Sequence, residues 1–404
     1  MVQRWHFHIL VALAILILLG SCGNSAPRDV EVRGKLLAPN GETPIPGATV
    51  FLEKDAVGLS LGEAQGASDC AEPPVPYATY TCTKPDGSFE LKFKTVKNQV
   101  KLRANKGEFE ASFSINLTQR VTDLGDMPLP EDSLPRIAVV TGYYDRMEDL
   151  LAKLGLGELE NSQLKLGTEL FDLFNGDFRL PNGYPDFPEL FTDADGDGQI
   201  DILDYDIVFI NCGTAYENDL INKDSWRRSL HDFVSGGGLL YATDLSYDYV
   251  EQVFPEYLDF LGSDGTPANE PETPSMAEQG DGGITTEAEV QDDLLKTWLK
   301  NVSCIDSSGN PVDCIDPTSQ KVHIEGFLGG WAVINGAHEG MVDDVKFWVQ
   351  GPVFWGVGSG VKPLTVSFNL GQGRVVYTSY HTEPGSFANG YLPQERILEF
   401  LVFQ

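Results

Sequence analysis

The sequence predicts two kinds of structure in one chain: an all-β sandwich over residues 30–130, then an α/β unit over 136–404 on a doubly wound, mostly parallel sheet. Three observations predict this. Short runs between 30 and 130 alternate apolar and polar residues, the pattern of strands with one buried and one wet face. Beyond Pro135 the strands become unbroken apolar runs separated by helical patterns, which suits a sheet covered on both faces. The 404 residues, 42% apolar and 10% aromatic, are too many for one small domain and too apolar for disorder throughout.

At the amino terminus Arg4 precedes an unbroken apolar run from Ile9 to Leu19, followed by Leu19-Gly20-Ser21-Cys22. Eleven apolar residues are short for a bilayer span but suit the core of a signal peptide. The Leu-x-small-Cys ending resembles the lipobox of bacterial lipoproteins. The resemblance implies a signal peptide over 1–21, acylation of Cys22 and a tether over 22–29. Gly23 and Asn24 are not the aspartate that favours inner-membrane retention, so outer-membrane sorting is the preference. The expected place is the bacterial cell envelope, with the lipid on Cys22 holding the membrane.

The remaining cysteines fit an oxidising compartment. Cys70 and Cys82 bracket a proline-rich loop, and Cys304 and Cys314 bracket a turn-rich one, so each pair is expected to close a local disulfide. Cys212 is left over in the apolar run Ile207–Cys212 and reads as a buried thiol.

Within the first unit, strands are expected at Val30–Gly34, Ala48–Leu52, Ser88–Phe93 and Val100–Ala104, with Pro85-Asp86-Gly87 as a turn. Val32-x-Gly34, Ile45-Pro46-Gly47-Ala48-Thr49-Val50 and Asp86-Gly87-Ser88-Phe89 resemble carboxypeptidase-regulatory-like, transthyretin-type domains. The resemblance covers about one hundred residues and implies a non-catalytic spacer or adhesion module. Pro128, Pro130 and Pro135 mark a linker at 131–135.

In the second unit, Ile137–Val140, Asp206–Asn211 and Leu239–Ala242 read as buried strands. Met147–Leu154, Asp224–Val234, Glu287–Lys300 and Pro393–Phe403 read as helices. Leu364–Phe368 and Arg374–Thr378 flank Gly371-Gln372-Gly373 and read as a hairpin. Residues 262–284 are rich in Gly, Pro and acids and read as a mobile loop.

The strongest local signal is residues 193–204. Asp193, Asp195, Asp197, Asp201 and Asp204 fall at positions 1, 3, 5, 9 and 12, with Gly198 at 6. Calcium takes about six to eight hard oxygens, and alternate positions of a tight loop supply them. The loop resembles EF-hand and dockerin-type calcium loops, which implies the five aspartates and the Gln199 carbonyl as ligands of a structural Ca2+. Position 12 is the shorter Asp, and a strand rather than a second helix follows.

Tyr205–Asn211, Phe233-Val234-x-Gly236-Gly237-Gly238-Leu239-Leu240 and Gly373–Thr378 with His381-x-Glu383 resemble the class I glutamine-amidotransferase-like superfamily, nearest its trehalose-utilisation-type members. The resemblance implies a flavodoxin-like doubly wound sheet. Its catalytic members use a Cys at a strand–helix elbow and a His-x-Glu pair. His381 and Glu383 match the second half, but the elbow reads Thr243-Asp244-Leu245-Ser246 and has no Cys. His381 and Glu383 therefore read as a structural pair. Trp298, Trp331, Trp348 and Trp355 read as core or cleft wall.

With 28 basic and 60 acidic residues the chain carries a net charge of −32, which excludes nucleic acid as a partner. The expected function is binding or surface structure, with an envelope protein or glycan as partner. The alternative is a hydrolase acting on a sugar, amide or envelope substrate through His381, Glu383 and Asp244. That alternative needs His381 and Asp244 within about 3–5 Å in an open cleft.

Overall fold

The computed structural model describes residues 26–54, 70–262, 270–381 and 390–402. The segment expected to be a signal peptide, Cys22 and Glu383 lie outside the described residues. Among the described residues no helix is long and apolar enough to cross a membrane.

Seven strands come first: β1 (Arg28–Leu37), β2 (Thr49–Glu53), β3 (Tyr77–Cys82), β4 (Ser88–Thr95), β5 (Gln99–Lys106), β6 (Phe109–Asn116) and β7 (Val121–Pro128). They make two sheets, ordered β4-β1-β7 and β3-β2-β5-β6. The period-two pattern is realised directly: Phe89, Leu91 and Phe93 of β4 and Val100, Leu102 and Ala104 of β5 are buried in one core. The linker is a single 3-10 turn, Glu131–Ser133.

The second unit is mixed α/β. It begins with β8 (Ile137–Val140), α1 (Met147–Leu151), a small hairpin of β9 (Leu159–Glu160) and β10 (Gln163–Leu164), and β11 (Asp172–Phe174). Next come β12 (Ile207–Ile210), α2 (Glu217–Asn222), α3 (Asp224–Gly236), β13 (Leu239–Thr243) and α4 (Asp248–Glu251). After β14 (Leu258–Phe260) come β15 (Thr286–Val290), α5 (Asp293–Asn301), β16 (Ser303–Ile305), β17 (Pro311–Asp313), β18 (Lys321–Ile324) and β19 (Ile334–Ala337). The long β20 (Val345–Trp355) and β21 (Gly358–Leu370), then β22 (Gly373–Thr378) and α6 (Pro393–Val402), complete the described chain.

Nine of these strands form one sheet in the order β11-β8-β12-β13-β22-β21-β20-β15-β18. From β11 to β22 neighbours are parallel, and from β22 to β18 they are antiparallel. The parallel half is thus smaller than "mostly parallel" implied, because the expected hairpin grows into a broad antiparallel extension. The unbroken apolar strands are covered on both faces. Ile137, Val139, Ile207 and Phe209 face a core with α1, α5 and α6, while Ala138, Val140, Val208 and Ile210 face one with α3 and α4.

Glu287–Lys300 does not form one helix. Thr286–Val290 is a strand with Ala288 and Val290 buried and both glutamates exposed, and the helix starts only after Asp292, whose Oδ1 accepts from the Leu295 N–H at 2.8 Å. The period-two Glu-Ala-Glu-Val stretch and the cap were the signals against a continuous helix. The described part of the acid-rich segment, from 270 on, is pinned: Ser275 N–H donates to Asp248 Oδ2 at 3.0 Å and Ala277 N–H to the Tyr247 hydroxyl at 3.1 Å.

The two units share a core. Leu36, Ala104 and Phe109 belong to the same buried cluster as Leu154, Trp298 and Phe400. Gly47 has φ +65°, and a Cβ there would lie 2.7 Å from the Trp298 ring, so only glycine lets the Pro46-Gly47 turn approach α5 this closely. Lys106 Nζ lies 3.2 Å from Glu399 Oε1, 2.8 Å from the Pro46 carbonyl and 4.4 Å from the Trp298 ring centre. The first unit is therefore packed against the second, not suspended as a free spacer.

Candidate functional site

All five parallel strands end at one edge, and their carboxyl-terminal loops gather the candidate residues there. Asp244 follows β13, His381 lies just past β22, and Cys212 lies just past β12. Asp244 adopts φ +46°, a left-handed conformation rare outside glycine and best tolerated by Asn and Asp. The Tyr377 hydroxyl holds this turn by donating to the Asp244 carbonyl at 2.7 Å. The Cys212 N–H donates to Thr243 Oγ1 at 3.1 Å, and Ser246 Oγ donates to the Asn211 carbonyl at 2.8 Å, which stitches the β12 and β13 loops together. A Cβ on Gly142 would meet the Cys212 carbonyl at 2.3 Å, so glycine is what lets the β8 loop close on the same edge.

His381 Nε2 lies 3.0 Å from Asp244 Oδ2, and both side chains are almost fully buried. The pair meets as an ion pair, and among the described residues His381 Nε2 and Asp244 Oδ1 have no hydrogen-bond partner. The Cys212 sulfur, an Asp244 oxygen and a His381 ring nitrogen lie within 4.8 Å of one another. Burial opposes charging His381, but Asp244 and Asp145 outweigh it and hold the imidazole above its ordinary range. Burial raises the Asp244 carboxyl, with His381 opposing. Burial, then Asp244, drives the Cys212 thiol far up. A thiol so buried is not poised as a nucleophile.

Cys212 was not expected beside His381 and Asp244. The signal was only that it ends one strand of the parallel set, and strand order is not visible in the sequence. Glu148 was not expected at the site either. That carboxyl is buried at the start of α1, is pushed up to about 7 by burial and then by Asp149, and accepts from Asn211 Nδ2 at 2.8 Å. Arg146 and Arg179 stand 3.9 and 3.8 Å from its Oε1. At the rim of this edge Tyr143, Tyr144 and Phe178 are 51%, 53% and 62% exposed. The Phe178 ring packs 5.6 Å from Tyr216.

The acidic loop lies between β11 and β12. Asp193, Asp195 and Asp197 bring carboxylate oxygens within 4.8 Å of one another. Gly198 N–H donates to Asp193, Asp197 N–H to Asp195 and Gln199 N–H to Asp197, at 2.8–3.1 Å. Asp201 and Asp204 begin and end a 3-10 turn, where Asp201 accepts from Ala194 N–H and Asp204 accepts from Gln199 Nε2, both at 2.9 Å. Three of the five expected acids are thus gathered, and the other two brace the loop. Clustered, solvent-facing carboxylates at this spacing fit a hard cation.

Both expected disulfides are present, Cys70–Cys82 and Cys304–Cys314, and Cys212 is the free cysteine among the described residues. Trp298, Trp331 and Trp348 are buried in the core and Trp355 packs against it.

No family model and no curated protein sequence matches the chain. Solved structures do. Cytoplasmic protein STM3548 from Salmonella typhimurium aligns at 15% identity over 67% of this chain and 98% of its own, with a TM-score of 0.35. Cytoplasmic protein STM1381 from Salmonella typhimurium LT2 aligns at 12% identity over 67% and 97%, TM-score 0.31. The carbohydrate deacetylase Agd3 aligns at 11% identity over 67% of this chain and 32% of its own, TM-score 0.34. These are loose similarities, and no activity is transferred from them.

Proposed function

We propose that this is a lipid-anchored, extracytoplasmic envelope protein whose second unit is a flavodoxin-like, amidotransferase-like domain serving in ligand or partner binding, not in nucleophilic catalysis. The observation that carries this reading is the occupant of the turn after β13. A buried, strained Asp244 stands there against His381, and the sulfur beside it, Cys212, ends a different strand and is sealed from solvent. The strand order supports the fold assignment: numbered along the chain, the parallel strands run 2-1-3-4-5, with helices on both faces. In that arrangement ligands sit beyond the carboxyl ends of the strands, where Tyr143, Tyr144 and Phe178 offer exposed rings to a glycan or protein partner. The two disulfides support an oxidising compartment. The Asp193–Asp195–Asp197 cluster supports a structural calcium ion that steadies the entry to β12.

The second reading is the hydrolase. It is favoured by the 3.0 Å His381–Asp244 contact and by the carboxyl of Glu148 near 7, in the range of a general base. Binding of the mature chain to solubilised envelope glycans and proteins, compared with Tyr144→Ala/Phe178→Ala, tests the first reading. Binding lost in the double variant supports it. Equal binding by both chains, or breakdown of the ligand by the wild type, contradicts it. For the anchor, Cys22→Ala is expected to release the protein from membranes, and continued lipid labelling of that variant contradicts acylation at Cys22.

A further inference from the structure

The residues gathered behind the β12, β13 and β22 loops form a donor set that the binding role leaves unexplained. A thiol, a carboxylate and an imidazole come from the ends of three adjacent parallel strands, and their ligand atoms lie within 4.8 Å of one another. All three side chains are buried. Among the described residues two of them present atoms without hydrogen-bond partners, His381 Nε2 and Asp244 Oδ1, which is a costly arrangement unless something else satisfies them.

We propose that Cys212, Asp244 and His381 bind a transition-metal ion, with zinc the first expectation. The chemistry of the donors selects the ion. A thiolate, an imidazole and a carboxylate are the ligands of zinc and its borderline neighbours, whereas calcium and magnesium take oxygen alone. A tetrahedral zinc with ligands at ~2.0–2.3 Å spaces its donor atoms roughly 3.3–3.8 Å apart, within the spread seen here.

The surroundings point the same way. The Cys212 N–H donates to Thr243 Oγ1 and Ser246 Oγ donates to the Asn211 carbonyl, so the loops that carry the sulfur and the carboxylate are fixed to each other. The left-handed Asp244 backbone, held by Tyr377, aims a carboxylate into this cluster at the cost of strain, as functional sites do. The site is distinct from the exposed aspartate loop, which has no sulfur or nitrogen donor.

The test uses the mature chain carrying Cys22→Ala, which leaves Cys212 as the one free thiol. Metal content is measured after purification without chelators, and the chain is then refolded without reductant in the presence of Co(II). About one zinc per chain is expected, together with a near-ultraviolet thiolate-to-cobalt band in the cobalt form. Cys212→Ser is expected to lose the band, and Asp195→Ala in the calcium loop to keep it. A chain that holds no zinc and gives no such band overturns the proposal, and so does a band that survives Cys212→Ser. Should Cys212→Ser fail to fold, titration of the zinc-loaded wild-type thiol with an organomercurial decides. Release of one zinc per thiol modified supports the site, and modification without release overturns it. These readouts do not depend on any ligand of the rim, so they stand apart from the binding test.

Discussion

His381 Nε2 and Asp244 Oδ2 meet at 3.0 Å behind the carboxyl edge of the parallel strands, both sealed from solvent. In a hydrolase of the resembled kind, a nucleophile would occupy the turn where Asp244 stands, and the imidazole would take its proton. Here the imidazole faces a carboxylate, and the nearby sulfur is buried at the end of a different strand. The contact condition of the hydrolase reading is met, while the open cleft it also needs is not seen at these two buried side chains.

Glu148 gives a pH-dependent prediction. Its folded pKa of about 7 lies above the ordinary value, so the folded state favours the protonated acid. A raised carboxyl contributes stability that is fully present below the unfolded pKa and is lost as pH rises through the folded one. Glu148→Gln imitates the neutral acid and keeps an acceptor for Asn211. Relative to wild type it is expected to gain little at pH 4 and on the order of 3 kcal/mol at pH 8. Urea denaturation at both pH values checks this, and a constant difference contradicts it.

The contact between the two units gives a second prediction. Lys106 and Glu399 are both buried and bonded to each other, while Glu399 also holds Arg396 Nη1 at 2.5 Å and Lys106 also donates to the Pro46 carbonyl. Lys106→Met or Glu399→Leu alone is expected to cost about 1.5–3 kcal/mol, and the double variant less than the sum. A double-mutant cycle by chemical denaturation checks the coupling, and additive losses contradict it. Gly47→Val is expected to destabilise the same contact by about 2–4 kcal/mol, because it adds a strained φ and a clash with Trp298.

Calcium gives the third. At a dissociation constant of ~10⁻⁴ M, 1 mM calcium is expected to stabilise the fold by about 1.4 kcal/mol. A chelator is expected to lower the melting temperature by a few degrees in wild type and not in Asp195→Ala. A wild-type melting temperature that ignores the chelator removes the calcium site.

Much of this architecture was legible in the sequence because the periodicities differ. Alternation marked four of the seven strands of the first unit, and Ile137–Val140, Ile207–Ile210 and Leu239–Ala242 announced a doubly covered sheet by being apolar throughout. Short loops with cysteines at both ends made the disulfides readable. Beyond the β21–β22 hairpin the antiparallel half was not legible, since β15 hides beside a helix and β18 is only four residues long. The site was half legible: Asp244 and His381 stood out against a family pattern, whereas Cys212 and Glu148 depend on which strands are neighbours. Strand order is set by long-range packing, which local periodicity does not encode.

Turnover by the purified mature chain is the sharpest test of whether this site binds without reacting. Wild type and His381→Ala are assayed side by side on a panel of amides, acetylated sugars and envelope glycans. No hydrolysis above background is expected from either chain. Hydrolysis by the wild type that disappears in His381→Ala contradicts a purely binding role.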